Sequence, residues 1–191
     1  MLIDLPTTND SYETVWDKPV PIIRVNSYRY RVYILDNIEE PSVYAELVEL
    51  LNDLDSDVRI EFYINTPGGV LDSATMLMNA IKECKAYTVA KLSGTVASAG
   101  TMLALVMDEL EIAPFTSFMI HNYSHGTNGS GSQVKGQVDF LNKELLKLYR
   151  EVYKNFLTPQ EITKVVKDDK EIWLNAEEVK KRVQSMKYRK Q

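Results

Sequence analysis

A serine within a run of small residues is the first group in this sequence with the type and setting of a nucleophile. Ser98 lies in the run GTVASAG (residues 94–100), between a β-type segment and an apolar segment that predicts a buried helix. This order places Ser98 near a helix N-terminus, where unpaired backbone N–H groups gather. A hydroxyl there can attack a carbonyl carbon while these donors stabilise the developing oxyanion. The run also fits a serine N-cap on a closely packed helix, so this motif alone leaves both interpretations open.

Two histidines, His121 and His125, are the candidates for the base that takes the serine proton. His121 ends an apolar β-type run and opens a loop, which suits a base at the edge of a cleft, although a structural histidine is the alternative. His125 lies within a polar loop and would be poorly held. The backbone N–H groups of Gly69 and Ala99 are candidate oxyanion donors, and a glycine lets the backbone approach a substrate closely.

The elements that must position these residues alternate between strand and helix. Runs of β-type residues predict strands over 30–35, 59–64 and 86–92, and apolar spacing predicts helices over about 41–54 and 70–84 and after Ser98. This alternation predicts an α/β fold with parallel strands and right-handed crossovers. Both glycine-bearing turns, residues 67–69 and 94–100, lie at carboxyl ends of strands, where ligands bind in such folds.

The remaining chain predicts a strand over 115–121, a long helix, a short helix after residue 158, a strand over 172–174 and a last helix from residue 176. The long helix, over about 133–156, has apolar residues three or four apart, and this stripe could pack on its own domain or on another subunit. Residues 1–27 are interpreted as an N-terminal arm and residues 184–191 as a basic C-terminal tail.

Composition limits the function classes. The chain has 191 residues, 45% of them hydrophobic and 26% charged, which fits one globular domain. A net charge of −5 argues against nucleic acid or an anionic membrane as the main partner. The single cysteine, Cys84, excludes a disulfide within the chain, and neither a signal peptide nor a membrane-spanning run is seen. We therefore expect a cytoplasmic protein, with no metal site and no cofactor.

Three short blocks resemble the signature blocks of the Clp protease proteolytic subunit (ClpP) family. They read NTPGG (residues 65–69), GTVASAG (94–100) and MIH (119–121), in the order and nearly the spacing of that family's N-S-P-G-G, G-x-A-A-S-M-G and M-I-H. The resemblance covers about residues 30–178, and three blocks in register are far more specific than one. It implies a domain over 28–183 with a spiral of repeated β-β-α units, as in crotonases, and a projecting handle at about 122–157.

The resemblance also implies roles for individual residues. Ser98 would be the nucleophile, His121 the general base, and the N–H groups of Gly69 and Ala99 the oxyanion hole. The family binds extended peptide as an added strand, so the segment from Val70 to Leu71 would pair with the substrate backbone, and Gly68 is carried over with it as a substrate-binding residue.

The third member of the triad is less directly matched. The family has an aspartate just before an F-L-S-A-like segment, which here reads WLNA (residues 173–176), and this register places Glu171 at the aspartate's position. A glutamate can orient a histidine as an aspartate does, with one more methylene of reach. Asp168 and Asp169 lie close by and stay open as alternatives.

The resemblance implies a serine endopeptidase that cleaves polypeptides inside a chamber. Its partners would be further copies of itself, in a six- or seven-membered ring, single or doubled, and an AAA+ unfoldase. The N-terminal arm does not resemble the family's axial-loop segment and a Y-G-L-x-D-like ending is absent, which suggests a phage-encoded or otherwise specialised relative. Three alternatives are a catalytically inactive ring subunit, a crotonase-type acyl-CoA enzyme, and a signal-peptide-peptidase-like protease with a serine–lysine dyad and a membrane anchor.

Overall fold

The computed structural model describes residues 3–4, 18–124 and 126–189, and these form a mixed α/β fold around an eight-stranded sheet. The strands are β1 (Ile3–Asp4), β2 (Ile22–Asn26), β3 (Arg29–Ile38), β4 (Arg59–Gly69), β5 (Tyr87–Ala97), β6 (Glu109–Ile112), β7 (Ser117–Ile120) and β8 (Ile172–Asn175). A 3-10 turn at Pro41–Tyr44 leads into the first helix. The helices are α1 (Ala45–Asp53), α2 (Leu71–Glu83), α3 (Ala99–Leu105), α4 (Gly131–Val152), α5 (Pro159–Asp168) and α6 (Ala176–Arg189).

The sheet has parallel strands at its centre, the antiparallel pairs β2–β3 and β7–β8 on either side, and a short parallel pair, β1–β2, at one edge. Strand order is β1-β2-β3-β4-β5-β7-β8, and β3, β4 and β5 pair in parallel, as the alternation of strand and helix predicted. Strand β5 pairs with β6 over residues 89–92 and with β7 over residues 95–97. The sheet therefore forks at β5, and its second branch carries β7 and β8, which pair antiparallel.

One face of the sheet holds the apolar core. Alternate residues of β3 and β4 point towards the helices, as a period-two pattern requires, and α1 and α2 cover them with their own apolar stripes. These side chains are at most 3% exposed: Val32, Ile34, Ile60, Phe62, Ile64, Leu47, Leu51 and Leu77. Packing of the core holds the parallel strands in place. The turns at residues 67–69 and 94–100 lie at the carboxyl ends of these strands.

The opposite face of the same strands carries a buried carboxylate among cations. Glu61 is 1% exposed and accepts hydrogen bonds from Arg29 at 2.7 and 2.9 Å, with Arg59 and Lys91 also within ion-pair distance. Burial alone would raise the pKa of Glu61, but the bonds from Arg29 and the charge of Lys91 bring its pKa below the usual value. The cluster ties β3, β4 and β5 together on the side without helices.

The two ends of the chain differ from the sequence interpretation. Residues 22–26 were included in the N-terminal arm, but they form β2, which pairs antiparallel with β3, and Ile22 and Ile23 are buried. Pro21 precedes this strand rather than interrupting it, and its carbonyl accepts a hydrogen bond from Tyr33. Most of the rest of the arm lies outside the described residues, as does His125. Helix α6 continues to Arg189, so much of the predicted basic tail is helical.

The long helix α4 begins and ends a few residues earlier than predicted. Its C-terminal half is packed on the domain, with Leu145, Tyr149 and Val152 buried, whereas most of residues 131–140 are exposed. Among the described residues, none of the helices has both the length and the apolar character needed to cross a membrane.

Candidate active site

Ser98 and His121 meet at the carboxyl ends of two paired strands. Strand β5 ends at Ala97 and β7 at Ile120, and the two strands are parallel with Ala97 opposite Met119. Because parallel strands end at the same edge of a sheet, the residues that follow them emerge side by side. The Nε2 atom of His121 lies 2.7 Å from the Oγ atom of Ser98, which is hydrogen-bonding distance. The structure therefore brings together a hydroxyl and a base that are 23 residues apart in sequence.

The backbone of Ser98 is strained. Its φ of 54° and ψ of −127° lie in a region that residues other than glycine rarely adopt. Three hydrogen bonds hold this conformation: the Ser98 N–H donates to the Met119 carbonyl at 2.8 Å, and the Ser98 carbonyl accepts from the N–H and the hydroxyl of Thr101 at 3.0 and 2.6 Å. Such strain persists only where the surroundings enforce it, and it is concentrated at functional sites.

Two glycines bring the end of β4 against this turn. Gly68 has a φ of 102°, and a Cβ atom on it would lie 2.6 Å from the Cβ of Ser98. Gly69 has a φ of 150°, and a Cβ atom there would lie 2.2 Å from the carbonyl oxygen of Ile38 on β3. Only glycine fits at either position without movement of the neighbouring atoms. The chain can thus pass within van der Waals contact of the candidate nucleophile.

A cleft of about 900 Å³ opens beside the pair. All the predicted site residues except Glu171 line it, namely Gly68, Gly69, Val70, Leu71, Ser98, Ala99 and His121. Helices α3 and α4 supply an apolar wall through Met102, Leu141, Leu145 and Tyr149. The backbone of Val70 is already engaged, since its N–H donates to Ile38 at 2.9 Å and its carbonyl accepts from Ala74 at 3.2 Å. The cleft combines the hydrogen-bonded Ser98 and His121 side chains with an apolar surface.

The carboxylate predicted as the third member does not contact His121 in this structure. The pairing of Ile120 with Ile172 puts Glu171 opposite His121 in register, but the Glu171 carboxylate accepts a hydrogen bond from the Trp173 indole N–H at 2.9 Å. Among the residues that the structure describes, no carboxylate is paired with the His121 ring.

The two alternative carboxylates lie at the end of α5. Asp169 follows this helix in a left-handed conformation, and its carboxylate accepts a hydrogen bond from the side-chain amide of Asn122 at 2.8 Å. Asp168 is exposed. Asp169 thus reaches the residue next to His121 but not the ring itself.

Two residues that hold the pair were not selected from the sequence. The Tyr149 hydroxyl donates to the His121 carbonyl at 2.6 Å, and the Thr101 hydroxyl binds the Ser98 carbonyl. Tyr149 lies beside the apolar stripe of a long helix, where an aromatic residue is normally part of the core. The sole hint in the sequence is the repeat of tyrosine at 149 and 153, one helical turn apart.

Comparisons with known proteins agree with the three-block resemblance. The family model described as Clp protease matches residues 27–182. The chain is 33% identical over 143 residues to the ATP-dependent Clp protease proteolytic subunit 3 of Rhizobium meliloti, which covers 72% of this chain and 70% of the relative. It is 34% identical over 144 residues to the subunit 3 protein of Rhizobium etli, at 72% and 71% coverage. It is 28% identical over 157 residues to the proteolytic subunit 2 of Pseudomonas aeruginosa, at 78% and 75% coverage. The chain therefore belongs to the Clp protease family and is a serine peptidase.

Proposed function

We propose that this chain cleaves peptide bonds through an acyl-enzyme formed on Ser98. The 2.7 Å contact between Ser98 Oγ and His121 Nε2 carries this proposal. His121 takes the hydroxyl proton as Oγ attacks the peptide carbonyl carbon, and the imidazolium then returns that proton to the departing amine. A water molecule, deprotonated by the same imidazole, hydrolyses the ester and restores the serine hydroxyl.

The oxyanion formed in both steps needs preorganised donors. We assign these to the backbone N–H groups of Gly69 and Ala99, because both residues line the cleft beside Ser98. The substrate backbone would lie along residues 68–71. Both backbone groups of Val70 and the N–H group of Gly68 are engaged within the chain, so the substrate would meet residues 68–71 mainly through the surface that they present to the cleft. The apolar wall of the cleft suits extended, unfolded polypeptide rather than a folded protein.

We assign the orienting role to Glu171. The register of β7 and β8 supports this assignment, because it places Glu171 directly opposite His121 on the neighbouring strand. Rotation of the glutamate side chain away from Trp173 would carry the carboxylate to Nδ1 of His121, where it would fix the tautomer that leaves Nε2 free to accept a proton. Asp169 is the alternative, reaching the same loop through Asn122.

The proposed assembly is a homo-oligomeric ring of six or seven subunits, single or doubled, served by an AAA+ unfoldase in the cytoplasm. The relatives are named as subunits of an ATP-dependent protease, which fits a partner that supplies unfolded chains. Helix α4 would act as the projecting handle between subunits, within a spiral fold of the family's type. Its exposed half carries Phe140, which is 63% exposed, and the half-buried residues Val134, Val138 and Leu141.

Substitution of the nucleophile tests the proposal directly. The wild-type protein should hydrolyse a fluorogenic peptide and react with a fluorophosphonate at Ser98, and Ser98→Ala should lose both properties. Ser93→Ala is the matched control, because Ser93 is an exposed serine on the same strand and should leave both unchanged. Labelling that persists in Ser98→Ala would overturn the assignment. A correctly assembled wild-type protein without turnover or labelling would instead be an inactive ring subunit.

A further inference from the structure

Tyr149, in the last turn of α4, and Tyr153, which follows the end of this helix, are buried tyrosines whose hydroxyl groups lead to the backbones of Ser98 and His121. The Tyr149 hydroxyl lies 2.6 Å from the carbonyl oxygen of His121, and the Tyr153 hydroxyl lies 2.7 Å from the Thr101 hydroxyl. The Thr101 hydroxyl in turn lies 2.6 Å from the carbonyl oxygen of Ser98. Tyr149 is 3% exposed, Tyr153 is 1% exposed and Thr101 is fully buried, so water does not compete for these bonds.

The direction of each hydrogen bond follows from the chemistry of the groups. A carbonyl oxygen can only accept, so the one hydroxyl proton of Thr101 is directed to Ser98. The Tyr153 hydroxyl must therefore donate to Thr101. Burial raises the pKa of both tyrosines, so both stay protonated donors throughout the range in which an imidazole acts as a base. Two donor chains thus run from the C-terminal end of α4 to the two carbonyl groups.

The two tyrosines form a rigid unit. They lie four residues apart, at the C-terminal end of α4, and their rings are in contact with centroids 5.3 Å apart and planes tilted by 50°. The unit binds His121 directly and the strained turn at Ser98 through Thr101. It therefore adds a second link, beside the hydrogen bond from Ser98 N–H to the Met119 carbonyl, between two segments whose reacting residues are 23 positions apart in sequence.

We propose that Tyr149 and Tyr153 are positioning residues that hold Ser98 and His121 at the separation that proton transfer requires. This inference rests on the proposed function of the pair. Neither hydroxyl lies on a reacting atom, because each is bonded to a backbone carbonyl or to Thr101. The hydroxyl groups act on the reaction by fixing the separation of Ser98 and His121. A displacement of about 1 Å between reacting groups can lower a reaction rate on the order of a hundredfold.

Removal of each hydroxyl in the full-length, assembled protein tests the inference. For Tyr149→Phe and Tyr153→Phe, we expect the rate constant for fluorophosphonate labelling of Ser98 to fall about tenfold, the effect of losing one buried hydrogen bond. The kcat for a fluorogenic peptide should fall in parallel. The KM of Tyr153→Phe should stay at the wild-type value, since Tyr153 does not line the cleft. Tyr30→Phe is the control, because Tyr30 is a buried tyrosine near the start of β3, at the end of this strand away from the candidate active site.

Thr101 supplies a second pair of variants in case a tyrosine variant does not fold. Thr101→Ser keeps the hydroxyl and should keep the labelling rate, whereas Thr101→Val keeps the shape, loses the hydroxyl and should show the tenfold loss. All rates are measured at temperatures well below the melting temperature of each variant, so that unfolding does not contribute to the difference in rate.

The outcomes separate a positioning role from a structural one. Slower labelling in the phenylalanine and valine variants, with wild-type rates in Tyr30→Phe and Thr101→Ser, supports the inference. Lower melting temperatures with wild-type labelling rates would overturn it, since the hydroxyl groups would then serve stability alone. A wild-type protein that is not labelled at Ser98 would overturn the proposed function, and the positioning role with it.

Discussion

Gly68→Ala tests whether the close approach of β4 to Ser98 is required for the reactive geometry. The added Cβ atom would lie 2.6 Å from the Ser98 Cβ, 2.9 Å from the Ala97 carbonyl oxygen and 3.1 Å from the Ser98 Oγ. Carbon atoms in contact are ordinarily about 3.5–4.0 Å apart, so one of the two chains must move by about 1 Å. Residue 68 is held by its pairing with Asn37 on β3, so we expect Ser98 to be the group that moves.

The expected magnitude follows from that displacement. A shift of about 1 Å would stretch the contact of Ser98 with His121 from 2.7 Å to about 3.5 Å or more, beyond hydrogen-bonding distance. We expect kcat/KM and the labelling rate to fall about a hundredfold. The φ of 102° at residue 68 adds strain for alanine, so the free energy of unfolding should also fall by about 1–3 kcal/mol.

The assay compares labelling rate, peptide turnover and denaturant unfolding in the same preparations. Gly136→Ala is the control: nothing lies within 4 Å of a Cβ atom there, and residue 136 faces away from the stripe formed by Val134, Val138 and Leu141. Because alanine is more favourable than glycine in a helix interior, Gly136→Ala should raise the free energy of unfolding by about 0.5–1 kcal/mol and leave the activity unchanged. If Gly68→Ala reacts at the wild-type rate, the tight packing of residue 68 on Ser98 has no part in the reactivity, and our reasoning from the glycine contacts is wrong.

Two further predictions concern carboxylates. Glu171→Gln should lower kcat about tenfold or more and change its pH profile, whereas Asp169→Asn should leave both close to wild type; the opposite result would move the orienting role to Asp169. Hydrogen bonds from Arg182 lower the pKa of Glu161 from 4.5 to about 2, so the ionised carboxylate stabilises the fold above pH 4.5 and this contribution is lost as the pH falls from 4.5 to about 2. The free energy of unfolding of Glu161→Gln, measured by denaturant titration, should therefore be about 2–3 kcal/mol below wild type at neutral pH and approach it in acid. A difference that does not change with pH would contradict this account.

The central strands could be predicted from local patterns, whereas the meeting of Ser98 with His121 was expected because of the three-block resemblance. Strands β3 and β4 alternate apolar and polar residues, and helices α1 and α2 each have an apolar stripe. This pattern indicates a parallel sheet, in which the carboxyl ends of the strands lie at one edge. Once two strands are parallel neighbours, the residues that follow them are neighbours too. The pairing of β5 with β7 therefore brings two residues that are 23 positions apart in sequence into contact.

Other features depend on interactions that spacing does not encode. Strand β2 was missed because prolines at 19 and 21 suggested an irregular arm, whereas a proline just before a strand costs the sheet no hydrogen bond. Strand β6 alternates polar and apolar residues, but its four residues are too few to identify a strand from the pattern alone. The Glu171 carboxylate is bonded to Trp173, while His121 lies opposite it in register, and one hydrogen bond, worth about 1 kcal/mol, decides between the two arrangements. Alignment with the family's motif gives the position of such a residue in the sequence, but it does not give the conformation of the side chain.

The reactive turn is held by the core of the protein rather than by its own loop. The seven residues of α3, which begins directly after Ser98, are all buried, so this helix cannot move without disrupting the packing around it. Its first turn supplies Thr101, whose N–H and hydroxyl bind the Ser98 carbonyl. A φ of 54° at a serine costs about 1–3 kcal/mol, and burial of α3 is large enough to offset that strain. Substitutions that loosen α3 should therefore reduce the reactivity of Ser98 before they unfold the domain, because the strained turn relaxes first.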